Sequence, residues 1–202
     1  MKGTRIATFV AAGVIAMGAA GVSSAKSPVP GKPGDANIVE IAQAVNAQTG
    51  QFSYLLAAAT CDYFEGAIVG LLTGEDKLTL FAPTDEAFIA LQSFLIDAFE
   101  LEAEPSPELT CAIDGLLGDG TLFDVLAYHV TDGRRFSNSV FNKRNPKMIE
   151  MLNGQYIVSN PDLTLNDNAG QAVGVAGLDL VNINASNGVI HVIDTVLLPF
   201  AP

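Results

Sequence analysis

The amino-acid sequence predicts an α+β fold, with helices in its first half and a largely antiparallel set of strands in its second. Apolar residues recur at helical spacing from Ile38 to about Leu126. β-Branched and apolar runs, broken by Asn-Gly pairs, are concentrated after Arg134. Strand and helix signals do not alternate along the chain. That order points to helices segregated on a sheet system, not to a doubly wound parallel sheet.

The first segment reads as a signal, not as part of the fold. Lys2 and Arg5 precede the apolar stretch Ile6 to Ala20, and Ser23 and Ala25 place small side chains before Lys26. A signal peptide over residues 1–25 is expected, with cleavage after Ala20 as the alternative. The stretch is short for an uncleaved anchor, no Cys follows it for a lipid anchor, and the ending VLLPFAP is too short for an anchor signal. A secreted chain, extracellular or periplasmic and without a stable membrane anchor, is therefore expected. Residues 26–34, KSPVPGKPG, form a Pro/Gly-rich linker, and one domain spans 35–202.

Within that domain, Asp35 or Asn37 caps a helix carrying Ile38, Ile41, Ala42 and Val45 on one face. A second helix places Phe52, Leu55, Leu56 and Ala59 together, and Tyr63 to Leu72 extends it or forms another short one, ended at Thr73-Gly74. Leu78 to Ala82 has strand character and is stopped by Pro83. Thr84 then caps a helix to about Phe99, with Phe88, Leu91 and Leu95 as its buried stripe. Asp85 and Glu86 sit where a helix N-terminus favours negative charge, so these adjacent carboxylates need no catalytic explanation. Glu100 to Pro107 is an acidic loop, and helices follow over Glu108 to Leu117 and from Thr121 into Tyr128-His129-Val130.

The strands come next. Met148 to Leu152 and Gln155 to Val158 flank Asn153-Gly154, a two-residue hairpin signal. Leu163 to Leu165, a turn over Asp167 to Gly170, Ala172 to Ala176 and Leu178 to Ile183 follow. Asn187-Gly188 is read as a second hairpin turn into Val189 to Ile193, and Val196 to Leu198 closes the domain.

Charge and cysteine content narrow the function. The formal net charge is −12, and removal of Lys2 and Arg5 takes it to −14, which excludes a nucleic-acid partner needing a basic footprint. Fourteen acids and a single base, Lys77, lie between Asp62 and Asp124, whereas five bases lie between Arg134 and Lys147. Both runs read as solvated surface, with an orienting dipole as the alternative. Cys61 and Cys111, a lone pair behind an export signal, are most simply a disulfide. Free thiols are the alternative, disfavoured by Asp62 and Glu65 beside Cys61.

The sequence carries no phosphate-binding glycine loop, no G-x-S-x-G elbow and no H-E-x-x-H. Its two histidines, His129 and His191, lie in apolar contexts and read as packed residues. Ligation of a metal would require both, with a carboxylate such as Asp194. Asn166 to Asn168 reads as a polar turn. No catalytic residue, metal or cofactor is expected.

Three blocks, in order, resemble the fasciclin domain: LTLFAPTDEAFIAL over Leu78 to Leu91, the Tyr128-His129 pair within LFDVLAYHV, and NGVIHVIDTVLLP over Asn187 to Pro199. The opening IVEIAQAV is similar to the domain's entry helix. The resemblance implies a β-sandwich-like wedge of mostly antiparallel strands covered by N-terminal and central helices. It also implies non-catalytic adhesion to a cell-surface or matrix protein or a polysaccharide. By the same resemblance the binding candidates are Tyr128 and His129, with Leu126 and Val130 flanking them. Asn182 and Ile183 stand where some receptor-binding members carry an Asp-Ile dipeptide, so the carboxylate of that motif is absent. Some relatives hold carotenoid-like molecules, which makes carriage of a small apolar ligand in a helix–sheet cleft the alternative function.

Overall fold

The computed structural model describes residues 35–61, 66–118, 120–141, 144–170, 172–173 and 181–200. The expected signal peptide and linker lie outside them, as does most of the run from Ala172 to Leu180. Seven helices are described: α1 (Ile38–Thr49), α2 (Ser53–Ala59), α3 (Ala67–Thr73), α4 (Asp85–Ala98), α5 (Pro107–Leu117), α6 (Thr121–Ala127) and the single turn α7 (Ser137–Val140). The strands are β1 (Leu78–Pro83), β2 (Val130–Asp132), β3 (Lys147–Glu150), β4 (Tyr156–Ser159), β5 (Leu165–Asn166), β6 (Ala172–Val173), β7 (Ile183–Ala185) and β8 (Gly188–Ile193). Among the described residues, no helix is long and apolar enough to cross a membrane.

Local chemistry accounts for most helix ends. Asn37 and Glu40 form a reciprocal capping box on α1: Glu40 N donates to Asn37 Oδ1 at 2.9 Å, and Asn37 N donates to Glu40 Oε2 at 2.8 Å. Thr84 Oγ1 accepts from Ala87 N at 3.3 Å at the start of α4. Asp85 Oδ1 also accepts from Tyr54 N at 3.0 Å, so it satisfies the first turn of α2, whose own N-cap residue Phe52 has no capping side chain. Pro107 opens α5 behind the Ser106 cap instead of ending the acidic loop, because its fixed φ and missing N–H suit the first helical position. Gln92 holds that loop against α4: its amide donates to Ser106 O and Thr110 Oγ1 and accepts from Ser106 N.

Two four-stranded sheets follow, in the orders β2-β1-β8-β7 and β3-β4-β5-β6. The second is an antiparallel meander. The first is mixed, because β1 and β8 run parallel through six register pairs from Leu78–Gly188 to Pro83–Ile193. Both strands are buried along their whole length, as parallel strands covered on two faces require. Pro83 lies within β1, as its last rung, instead of stopping the strand before it. Two apolar cores result. One lies under α1–α4 and α6, and the other, holding Phe81, Tyr128, Phe141, Ile149, Ile157 and Ile193, is roofed by the meander. The Cys61–Cys111 disulfide is formed and joins the end of α2 to α5.

Both turns differ from the expected geometry. Gly154 N donates to Met151 O and Met151 N to Gln155 O, giving a three-residue loop with Gly154 at φ 82°. In the other hairpin the loop is Ser186-Asn187, and Gly188 is already paired with Ala185. Gly188 is required by packing. A Cβ there would fall inside van der Waals contact with Leu78 O and 2.6 Å from Ile38 Cδ1. Because a backbone oxygen cannot move aside, Gly188→Ala is expected to cost about 2–3 kcal/mol, read as a lowered urea midpoint with unchanged slope.

Candidate functional site

The Tyr128-His129 pair follows α6 and lies between the two cores. Tyr128 is wholly buried in the second core, and its hydroxyl donates to Tyr156 O at 2.9 Å. Burial, reinforced by the Asp167 carboxylate and only partly offset by hydrogen bonding to the Asn168 backbone, pushes its phenol up to about 12. Tyr128→Phe removes the hydroxyl bond alone and is expected to cost about 1–2 kcal/mol in urea unfolding.

His129 is 1% exposed. Its Nδ1 meets Val125 O at 2.7 Å and its Nε2 accepts from Leu197 N at 2.9 Å. Those partners define a neutral ring with the proton on Nδ1. Desolvation lowers its pKa to about 4, against an opposing contribution from the Val125 bond. Leu126 and Val130 are buried beside it, 4% and 1% exposed, in the first core. None of these four side chains presents an exposed surface to a protein partner.

Asn182 and Ile183 are half-buried. Asn182 adopts the left-handed conformation, φ 61°, which Asn tolerates better than most residues. Its Oδ1 accepts from Ser137 N at 2.6 Å and its Nδ2 donates to Ser137 Oγ at 2.8 Å, which fastens the start of α7. Its backbone N–H faces His191 Nδ1 at 3.4 Å, and His191 Nε2 meets Arg135 O at 2.7 Å. Burial lowers the His191 pKa as well. Both histidines therefore have their two ring nitrogens occupied by backbone partners, far from the open geometry of an acid–base or metal site. Arg134, Arg135 and Lys147, from the basic run, likewise donate to backbone carbonyls.

Sequence reasoning missed Asn187 as more than a turn residue. Its side chain accepts from Ile38 N at 3.0 Å and donates to Leu72 O at 2.7 Å and Gly74 O at 3.0 Å, binding α1, α3 and the β7–β8 hairpin together.

An apolar cleft of about 330 Å³ lies between α4, α5, α6 and the C-terminal segment. It lies chiefly among helices, not between helices and sheet. Leu95, Ile113, Val125 and Leu198 are buried in its lining. Phe94 and Phe99 stand at its edge, 50% and 49% exposed. Among its polar lining residues, Gln92 is engaged as described, and Asp114 accepts from Gly120 N at 3.2 Å and Leu122 N at 2.7 Å, capping α6. The sequence signal for the cleft is Phe94, which lies beside the Phe88–Leu91–Leu95 stripe and widens the apolar face of α4, with Phe99 continuing the stripe just past the helix end. A smaller recess of about 250 Å³ lies among α1, α2 and α3, with Leu126, His129 and Val130 in its lining.

A family model of the fasciclin domain matches residues 51–199. The chain is 32% identical over 163 residues to protein sll1483 of Synechocystis sp., covering 80% of this chain and 73% of that protein. It is 29% identical over 159 residues to periostin of Homo sapiens, covering 77% of this chain and 15% of periostin. Its identity to protein sll1735 of Synechocystis sp. is 28% over 162 residues, covering 80% of this chain and 97% of that protein. Among solved structures, a FAS1 domain pair from the insect cell adhesion molecule fasciclin I aligns with a TM-score of 0.48 at 14% identity, across 81% of this chain and 51% of that one.

Proposed function

We propose that this chain, which belongs to the fasciclin domain family, is an exported, non-catalytic adhesion and interaction module. Residues 35–202 form the working domain, delivered outside the cytoplasm by residues 1–25. Its partners are a cell-surface, matrix or envelope protein or polysaccharide. The observation that carries this reading is the open apolar cleft edged by two half-exposed phenylalanines, on a scaffold whose histidines are both buried with their ring nitrogens engaged by the backbone. Contiguous exposed apolar surface of this kind marks interaction sites. Retention of the full chain on matrix protein, polysaccharide and intact cells, above an acidic control protein of equal charge, is the expected result. Retention no greater than the control on all three surfaces would overturn the proposal.

The apolar lining of the cleft supports a second reading, carriage of a small apolar ligand such as a carotenoid. Its roughly 330 Å³ lies at the lower end of small-molecule sites. A visible absorption band that stays with the protein through gel filtration supports the carrier; a colourless protein that takes up no added pigment removes it.

A further inference from the structure

We infer that the cleft between α4, α5 and α6 receives a basic amphipathic segment of a partner protein, whose large apolar side chains insert past Phe94 and Phe99 while its Lys or Arg residues lie against the rim. This rests on the interaction-module reading and specifies the partner.

The lining determines half of that chemistry. Gln92 and Asp114, two polar residues of the cleft, are engaged with Ser106 and Thr110 and with the Gly120 and Leu122 backbone. The remaining surface is mainly Phe, Leu, Ile, Val and Ala. A wholly polar glycan would desolvate there with little return, whereas Leu- or Phe-sized side chains would be buried favourably.

The rim determines the other half. No Lys or Arg occurs from residue 78 to 133, the stretch that supplies all three helical walls. Asp97 on the last turn of α4 and Glu100, Glu102 and Glu104 on the loop joining α4 to α5 are exposed and flank Phe99 in sequence, outside the cleft lining itself. The C-terminal end of α4 adds its own partial negative charge, with no basic residue in its last turn. An acidic amphiphile is repelled at this end, and a neutral pigment gains nothing from the charges. A segment with apolar anchors and flanking cations satisfies lining and rim together. The shape agrees, because α4, 14 residues long, offers a wall of about 21 Å, the length of a short helix laid in a groove.

The chain contains no Trp, so a peptide with one Trp reports its own burial without background. The test uses the full exported chain and a 14-residue synthetic Leu–Lys amphipathic peptide with Trp on its apolar face. Controls are the same peptide with Glu for Lys, and the neutral dye Nile red. Saturable one-to-one binding of the Leu–Lys peptide is expected. Phe94→Ser with Phe99→Ser, at half-exposed positions that leave the fold intact, should weaken it about tenfold or more. Neutralising Asp97, Glu100, Glu102 and Glu104 to their amides should weaken it several-fold. Neutralising Glu75, Asp76, Asp132 and Glu150, which are exposed away from the cleft, should weaken it less. Equal binding of the Leu–Glu peptide, indifference to the Phe pair, equal loss from the distant acids, or Nile red uptake without peptide binding would each overturn the inference. Equal retention of wild type and the Phe94/Phe99 variant on cells and matrix would sink it and leave the module reading standing. Retention of neither would sink the module reading itself.

Discussion

Reduction of the Cys61–Cys111 disulfide is expected to lower stability by about 4 kcal/mol, the value for opening a loop with this sequence separation of 50 residues in the denatured chain. For a domain of this size the loss corresponds to roughly 8–16 °C in Tm. Thermal unfolding followed by circular dichroism, with and without reductant, measures it, and a Cys61→Ala/Cys111→Ala chain should reproduce the reduced value. The consequence reaches the cleft. Cys111 lies on α5, whose Thr110 and Ile113 form one wall, and the bridge fixes that helix to α2. Peptide binding should therefore weaken on reduction even at temperatures where the domain stays folded. An unchanged Tm would mean that the bridge closes no loop that matters to the unfolded state.

Acidification from pH 6.5 towards 4 is expected to remove about 3 kcal/mol through His129 alone, the product of a fall from 6.5 to about 4 and 1.36 kcal/mol for each pH unit. In the folded chain His129 stays neutral, because burial opposes its charge. In the unfolded chain it takes up a proton below about 6.5. The unfolded state thus binds more protons in this interval, so the stabilising contribution is complete above 6.5 and lost as pH falls to the folded value. His191, lowered by the same cause, acts in the same direction. Urea unfolding at pH 7.5, 5.5 and 4.5 measures the slope. In His129→Leu, Val125 O and Leu197 N–H lose their shared partner, so that variant should be less stable by about 2–3 kcal/mol at pH 7.5. Its dependence on pH should nevertheless be flatter. A wild-type chain whose stability is flat from 6.5 to 4 would show that His129 is not held neutral.

Local signals were legible and long-range ones were not. Asn37 with Glu40, and Thr84 ahead of its acidic first turn, announce α1 and α4 because a cap is written within four residues. The order of helices before strands announces the α+β class. The parallel pairing of β1 with β8 joins opposite ends of the domain, and no local pattern encodes it. Asn187-Gly188 illustrates how a correct motif can misplace a turn. The asparagine looks outward to three helix-end groups and the glycine makes room for β1, so the loop sits one residue earlier. His129 reads as packed from its apolar context, whereas the resemblance offered Tyr128 and His129 as binding residues. Their burial depends on the local Val125 O and on Tyr156 O and Leu197 N arriving from elsewhere in the fold. A cleft was expected between helices and sheet, but its place among α4, α5 and α6 was not legible, since a groove is a property of three helices and a tail together.

Hydroxyl-radical footprinting of the full chain, free and bound to the matrix or cells that retain it, tests the central claim: partners are met at the cleft and not at the buried Tyr-His pair. Phe94 and Phe99 should oxidise readily in the free chain and become protected on binding, while Tyr128 and His129 stay unreactive in both states. Oxidation of Tyr128 or His129 in the free, folded chain, followed by their protection on binding with Phe94 and Phe99 unchanged, would contradict the account.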